Sequence, residues 1–148
     1  QQIEKGFQMI KSLGKRRIGI LGFSFKEGTD DLRESPMVEL IERLIGKGFQ
    51  LSIYDSNVRL ASLYGANKDF ILNQIPHISA LMQANAEQVV SSSEVLVVGT
   101  KDEAYLEPIL TKTADVSIID LVRLSPVLEK LENYHGICWG NDTPSDLA

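Results

Sequence analysis

Hydrophobic segments of two kinds alternate along the chain. Short apolar runs have the length of β-strands, and between them apolar residues recur three and four positions apart, which is the spacing of a helix face. The run from Val95 to Val98 is apolar at every position, as expected for a strand covered by helices on both faces. The predicted strands are Arg17–Leu21, Phe49–Tyr54, Glu94–Gly99, Ser117–Leu121 and Gly136–Trp139.

Helices are predicted between these strands. Ile3, Phe7 and Ile10 give a helical stripe over residues 2–13, and Ser35-Pro36 is a good start for a helix that ends at Gly46. Other predicted helices are shorter: residues 58–63, a helix over 70–75 that Pro76 ends, 86–92, 103–110 and 126–133.

Strands that alternate with helices at this spacing indicate an α/β protein. Parallel strands joined by right-handed helical crossovers form a sheet with helices on both sides. The predicted fold is therefore a Rossmann-like three-layer sandwich with a mostly parallel sheet. We find no internal repeat.

Composition narrows the functional classes. The 148 residues are 43% hydrophobic, which suits one packed core. A net charge of −5 argues against a nucleic-acid partner. The single cysteine, Cys138, cannot form an intrachain disulfide, which suits a cytoplasmic location. No apolar run approaches the ~20 residues that cross a bilayer, so no membrane partner is expected. The polar helical start at Gln1 suggests a piece of a longer protein.

The segment from Gly22 to Pro36 carries the most chemical information. It leaves the carboxyl end of the first predicted strand, which is where open α/β sheets bind ligands. Lys26 and Arg33 place two cations in this short loop, and such a pair suits a phosphate or an anionic sugar nucleotide. A plainer interpretation is also open: both side chains are simply exposed to solvent on a surface loop, with Asp30 and Asp31 neutralising their charge.

Other candidate sites are weaker. The first strand ends in Gly19-Ile20-Leu21-Gly22, which is not the G-x-G-x-x-G pattern of a dinucleotide site. Asp55 lies 33 residues after Gly22, further than the usual ~20 for a ribose-binding acid, so we interpret it as a helix cap. His77 and His135 lack the spacing of metal ligands.

The loop from Gly22 to Pro36 resembles that of a known family. Gly22-Phe23-Ser24-Phe25-Lys26, followed by Thr29 through Pro36, is similar in order and spacing to the opening of the C-terminal domain of the UDP-glucose/GDP-mannose dehydrogenases. Gly46–Phe49 and Ile53–Asp55 agree with that domain's second strand. Gly65–Lys68 and Ile75–His77 are most similar to the GDP-mannose 6-dehydrogenase branch.

The resemblance implies an activity and a division of the chain. Enzymes of this family oxidise the C6 alcohol of a nucleotide sugar to a carboxylate, using NAD twice and a cysteine thioester. They join two Rossmann-like domains by a long helix and form homodimers or larger assemblies. By resemblance, residues 1–13 end that linker helix, 14–140 form the nucleotide-sugar-binding C-terminal domain, and 141–148 form a flexible tail. NAD would be bound mainly by the N-terminal domain.

Site residues follow from the same resemblance. Phe25 and Lys26 match the segment that contacts the nucleotide sugar, and Arg33 matches the arginine that reaches the NAD. Arg123 follows the fourth strand, near the position of a substrate arginine in some members, although the loop here is longer. Cys138 does not stand in the place of the catalytic cysteine, so this chain alone is expected to be inactive.

Two alternatives to a dehydrogenase domain remain at this point. The chain could be a stand-alone nucleotide-binding or regulatory module, or a plain α/β domain that mediates association. The sequence also leaves open whether the nucleotide sugar is GDP-mannose or a UDP-hexose such as UDP-glucose.

Overall fold

Five strands form one sheet in the computed structural model, which describes residues 2–23, 36–56, 76–111 and 116–136. Every neighbouring pair is parallel, and the order across the sheet is β2-β1-β3-β4-β5. This arrangement confirms the predicted α/β class. The strands are β1 (Arg17–Leu21), β2 (Gln50–Tyr54), β3 (Val95–Val98), β4 (Ser117–Asp120) and β5 (Tyr134–Gly136).

Helical segments connect the strands. They are α1 (Gln2–Leu13), α2 (Pro36–Gly46), α3 (Pro76–Ser79), α4 (Ala86–Ser92) and α5 (Leu106–Leu110), with 3₁₀ turns at Glu103–Tyr105 and Leu128–Lys130. None of the helices in the described ranges is long and apolar enough to span a membrane. The predicted helix over 58–63 lies outside the described residues.

Two element boundaries differ from the sequence analysis or were missed by it. Pro76 begins α3, a helix start that was not predicted, because proline lacks an N–H that the first helical turn would leave unpaired anyway. The helix predicted over 70–75 lies outside the described residues. The predicted start of the last strand was wrong, because β5 begins at Tyr134, two residues before Gly136; residues 137–139 of that prediction lie outside the described residues. Strand β5 is a short edge strand, and its half-buried residues give no clean apolar alternation.

Apolar side chains cover both faces of the sheet. Val95 and Val97 of β3 belong to a cluster shared with α1, α2 and α3, whereas Leu96 and Val98 belong to a second cluster shared with α4 and α5. All four are fully buried. Burial of one such side chain stabilises a fold by about 1.5–3 kcal/mol, so β3 anchors both layers. The three-layer sandwich predicted from the sequence is confirmed.

Helix α1 packs into the first cluster. Phe7 and Ile10 are buried there, and α1 lies against α2. The Arg43 guanidinium stands 4.2 Å from the centre of the Phe7 ring and donates a hydrogen bond of 2.9 Å to Glu4. The N-terminal helix is therefore part of the same packed body as the sheet.

The strand order defines where a ligand crevice would lie. Strand β1 pairs with β2 on one side and with β3 on the other, so the chain changes direction across the sheet at β1. In doubly wound sheets the crevice at such a reversal lies outside the carboxyl ends of the two strands. Here those ends are Leu21 of β1 and Val98 of β3.

Candidate functional site: the carboxyl edge of the sheet

Backbone hydrogen bonds extend the sheet beyond the strand ends. The N–H of Gly22 donates to the carbonyl of Tyr54 at 2.8 Å, and the N–H of Gly99 donates to that of Leu21 at 2.9 Å. Leu121 donates in the same way to Val98 at 3.0 Å. The segments that leave β1 to β4 therefore start from one continuous edge, which we call the carboxyl edge.

Glycines let the loops after β1 and β3 pack closely. Gly22 has φ +88°, and a Cβ there would lie 2.8 Å from the Cβ of Thr100 and 2.9 Å from its backbone nitrogen. A Cβ on Gly99 would meet the carbonyl of Gly22 and would lie 2.7 Å from the Cε of Met37. The atoms that approach Gly22 most closely belong to Thr100 of the loop after β3.

The buried carboxylate of Asp55 holds the chain as it leaves β1. It accepts a hydrogen bond of 2.7 Å from the N–H of Phe23 and is fully buried. We interpreted Asp55 as a helix cap; Ser56 directly after it is helical, but the following residues, whose N–H groups such a cap would bind, lie outside the described residues, so the cap stays a prediction. A carboxylate enclosed in this way does not suit the role of a ribose-binding acid, so the described residues do not fit a dinucleotide such as NAD in the usual Rossmann position.

The hydroxyl of Tyr105 joins the segments after β2 and β3. It accepts a hydrogen bond of 3.1 Å from the N–H of Ser56, and the side chain of Thr100 is also a hydrogen-bonding neighbour. Burial, and then the charge of Asp55, raise the pKa of Tyr105 to about 12. Its ring packs edge-on against Tyr54 with centroids 6.2 Å apart. A neutral phenol thus fastens two loops of the carboxyl edge together.

A second buried carboxylate organises the turn after β4. Asp120 accepts hydrogen bonds from the N–H of Val122 at 3.1 Å, the N–H of Leu124 at 2.8 Å and the hydroxyl of Tyr134 at 2.8 Å. Asp120 is fully buried. Burial, and next the hydrogen bond to Asp120, raise the pKa of Tyr134 above its usual range. The acid therefore closes a turn on its own strand and bonds to the neighbouring strand β5.

Of the predicted site residues, the structure describes Arg123. It lies in the turn that Asp120 closes, its side chain is exposed, and its backbone has φ +53°. Phe25, Lys26 and Arg33 lie outside the described residues. Both ends of their loop are described, however: Phe23 is bound to Asp55, and Met37, just after Pro36, reaches the Gly99 position. The loop that carries these residues begins and ends at the carboxyl edge.

Sequence reasoning missed the buried polar residues of this edge. Asp120, Tyr105 and Tyr134 were not singled out, although an acid at the end of an apolar strand is a signal that could have marked Asp120. No group of three or more His, Cys, Asp or Glu side chains that could hold a metal ion occurs within the described ranges.

Comparison with known proteins identifies the family. The family model described as "UDP-glucose/GDP-mannose dehydrogenase family, UDP binding domain" matches residues 19–125. This chain belongs to the UDP-glucose/GDP-mannose dehydrogenase family. The match spans the edge described above, from β1 to the turn that carries Arg123, and confirms the resemblance found in the loop after β1.

Members of the UDP-glucose/GDP-mannose dehydrogenase family differ in their sequence identity to this chain. The chain is 48% identical over 93% of its length to a GDP-mannose 6-dehydrogenase of Pseudomonas putida, covering 32% of that protein. It is 28% identical over 82% of its length to UDP-glucose 6-dehydrogenase 3 of Arabidopsis thaliana, covering 25% of that protein. The chain thus spans about a third or less of the length of these curated relatives.

A solved structure of a family member shares the fold. The GDP-mannose dehydrogenase of Pseudomonas aeruginosa, solved as a ternary complex, superposes with a TM-score of 0.79 at 46% identity, over 93% of this chain and 31% of that one. A UDP-glucose dehydrogenase of Pyrobaculum islandicum gives a TM-score of 0.60 at 20% identity over 93% of this chain and 30% of that one, which shows a shared fold.

Proposed function

We propose that this chain is the nucleotide-sugar-binding domain of an NAD-dependent GDP-mannose 6-dehydrogenase. The observation that carries the choice of sugar is the difference in similarity among relatives. Identity is 48% to a GDP-mannose 6-dehydrogenase and 28% to a UDP-glucose 6-dehydrogenase. The proposed whole-protein reaction is oxidation of the C6 alcohol of GDP-mannose to a carboxylate, with NAD as the oxidant in two successive steps.

The proposed substrate site is the carboxyl edge. The loop with Phe25 and Lys26 starts from Phe23, which Asp55 fixes at this edge, and the crevice of the doubly wound sheet opens there. Lys26 would bind the diphosphate as a point charge, since an ammonium donates to several phosphate oxygens without a fixed geometry. Arg123, exposed in the turn after β4, would supply a second cation for the nucleotide sugar.

We place NAD mainly outside this chain. Gly22 packs against Thr100 and the carboxylate of Asp55 is enclosed, so neither residue supports binding of NAD by this chain. Arg33 is proposed to reach an NAD that is held by another part of the same polypeptide. When bound, NAD accepts hydride from the sugar; the residues of this chain bind and orient the nucleotide sugar.

The remaining organisation is proposed on the same basis. Residues 1–13 would end the helix that links the two domains, residues 14–140 would form the nucleotide-sugar-binding domain, and residues 141–148 would form a tail. The whole protein is proposed to be a cytoplasmic homodimer or larger oligomer.

The direct test is NADH formation by the full-length gene product with GDP-mannose and with UDP-glucose. We expect NADH absorbance to rise when GDP-mannose is added, and to rise much more slowly when UDP-glucose is added. The chain of residues 1–148 by itself should form no NADH with either sugar. A full-length protein that binds nucleotide but never reduces NAD would instead support a stand-alone binding module, and faster oxidation of UDP-glucose would overturn the choice of substrate.

A further inference from the structure

Arg123 has an unusual backbone for an arginine. Its φ of +53° lies in the left-handed region, and no other non-glycine residue in the described ranges has a positive φ. Residues with a Cβ are disfavoured there, and glycine or asparagine is the usual choice. Non-glycine residues persist in this region where surrounding contacts hold them, and they cluster at ligand-binding sites.

The contacts that hold this turn come from Asp120. The N–H groups on either side of Arg123, those of Val122 and Leu124, donate to the two carboxylate oxygens of Asp120 at 3.1 and 2.8 Å. Both neighbours of Arg123 are therefore tied to one buried group. Because Asp120 is the last residue of β4, its hydrogen bonds attach the turn to the sheet.

Tyr134 fixes the carboxylate from the opposite direction. Its hydroxyl donates to Oδ2 of Asp120 at 2.8 Å, the oxygen that also accepts from Leu124. Tyr134 belongs to β5, which pairs with β4, so the acid is held between two strands. Tyr134 is a protonated donor at neutral pH, since tyrosine ordinarily titrates near pH ~10, and burial, then the hydrogen bond to Asp120, raise its pKa further.

We propose that Asp120 and Tyr134 are positioning residues that hold the Arg123 backbone so that its guanidinium can bind a phosphate of the nucleotide sugar. This inference rests on the proposed function and extends it to two residues that do not touch the ligand. A turn that needed only the left-handed conformation would be better served by glycine. The arginine side chain is exposed, so the fold gains no buried packing from it.

The test measures binding of GDP and UDP to the full-length protein by calorimetry, in a double-mutant cycle of Arg123→Gly and Tyr134→Phe. Loss of an arginine–phosphate contact should weaken GDP binding about tenfold or more. Tyr134→Phe removes one hydroxyl and should weaken GDP binding severalfold while Arg123 is present. In the Arg123→Gly protein, the same change should cause no further loss, because the residue acts through Arg123.

Two controls separate positioning from general destabilisation. Thr111→Val removes a hydroxyl that donates to the carbonyl of Pro108 at 2.8 Å, at the end of α5 and in a segment that leads to the amino end of β4. It should leave GDP affinity unchanged. Arg123→Gly should not lower the unfolding temperature, since glycine suits φ +53°.

Each outcome has a defined meaning. Equal weakening by Tyr134→Phe in both backgrounds, or no weakening in either, overturns the positioning role while leaving the proposed function in place. Unchanged GDP affinity in Arg123→Gly also overturns the positioning role. This measurement keeps the positioning role open to refutation if Tyr134→Phe fails to fold. A folded wild-type protein that binds neither GDP nor UDP overturns the proposed function, and the inference with it.

Discussion

Substitution of Gly22 by alanine tests how the carboxyl edge is packed. Two costs add at this position. The backbone φ of +88° disfavours any residue with a Cβ by about 1–2 kcal/mol. The new methyl would also lie 2.8 Å from the Cβ of Thr100 and 2.9 Å from its nitrogen, and overpacking of this kind costs about 1–3 kcal/mol. We expect a total loss of roughly 2–5 kcal/mol in the free energy of unfolding.

Gly48 provides a matched control. Its φ is +87°, almost the same as that of Gly22, but no atom lies within 4 Å of a Cβ built there. Gly48→Ala should therefore cost only the backbone part, about 1–2 kcal/mol. The difference between the two variants isolates the contact between the loops after β1 and β3.

The assay is urea denaturation followed by far-UV circular dichroism, with the free energy taken from the midpoint and slope. Adding Thr100→Ala to Gly22→Ala removes Oγ1 of Thr100, the atom nearest to the new methyl, and should restore part of the loss. Equal destabilisation by Gly22→Ala and Gly48→Ala would refute the close packing of these loops.

Three further substitutions test other parts of the structure. Gly19→Ala should lower the free energy of unfolding by about 1–3 kcal/mol in the same denaturation assay, because its Cβ would lie 2.8 Å from the Leu96 side chain. Arg43→Ala should cost about 1–2 kcal/mol, since it removes a cation 4.2 Å from the centre of the Phe7 ring and an exposed ion pair with Glu4; a larger loss would contradict this view of the two contacts. Tyr105 has a folded pKa raised from 10.0 to about 12, so the unfolded chain releases the proton first and stability falls as pH rises between these values. In the Tyr105→Phe protein, the free energy of unfolding should fall by up to ~3 kcal/mol less over this pH range than in the wild type. Denaturation of both proteins from pH 9 upward would detect the difference.

The strands could be predicted because their signal is local. The boundaries of β1 were predicted without error, and those of β3 and β4 to within one residue at each end, since apolar runs bounded by polar or glycine residues need no distant information. The helix start at Pro76 was missed because proline stops one helix and starts another equally well. The choice depends on which flanking residues pack, as Ile78 does in the core.

The polar contacts of the site could not be predicted, because they join residues far apart in the chain. Asp55 bonds to Phe23 across 32 positions, and Tyr134 bonds to Asp120 across 14 positions. A sequence shows that Asp55 ends a strand. It does not show that strand pairing brings its carboxylate to the N–H of Phe23, so only the local role of a helix cap could be predicted, and that role stays a prediction.

The ligand chemistry was predicted from the loop between Gly22 and Pro36, and the family match confirms the family to which that loop points. The left-handed turn at Arg123 carries no comparable signal, because arginine is not a residue that sequence rules associate with a positive φ.

Titration of GDP-mannose into the full-length protein and its Lys26→Ala variant tests the central claim most directly. Lys47→Ala is the matched control, since Lys47 is an exposed lysine in the turn that leads to the amino end of β2, the opposite edge of the sheet. The account predicts that Lys26→Ala weakens binding about tenfold or more and that Lys47→Ala leaves it unchanged. Equal binding by the Lys26→Ala and wild-type proteins would contradict a nucleotide-sugar site at the carboxyl edge.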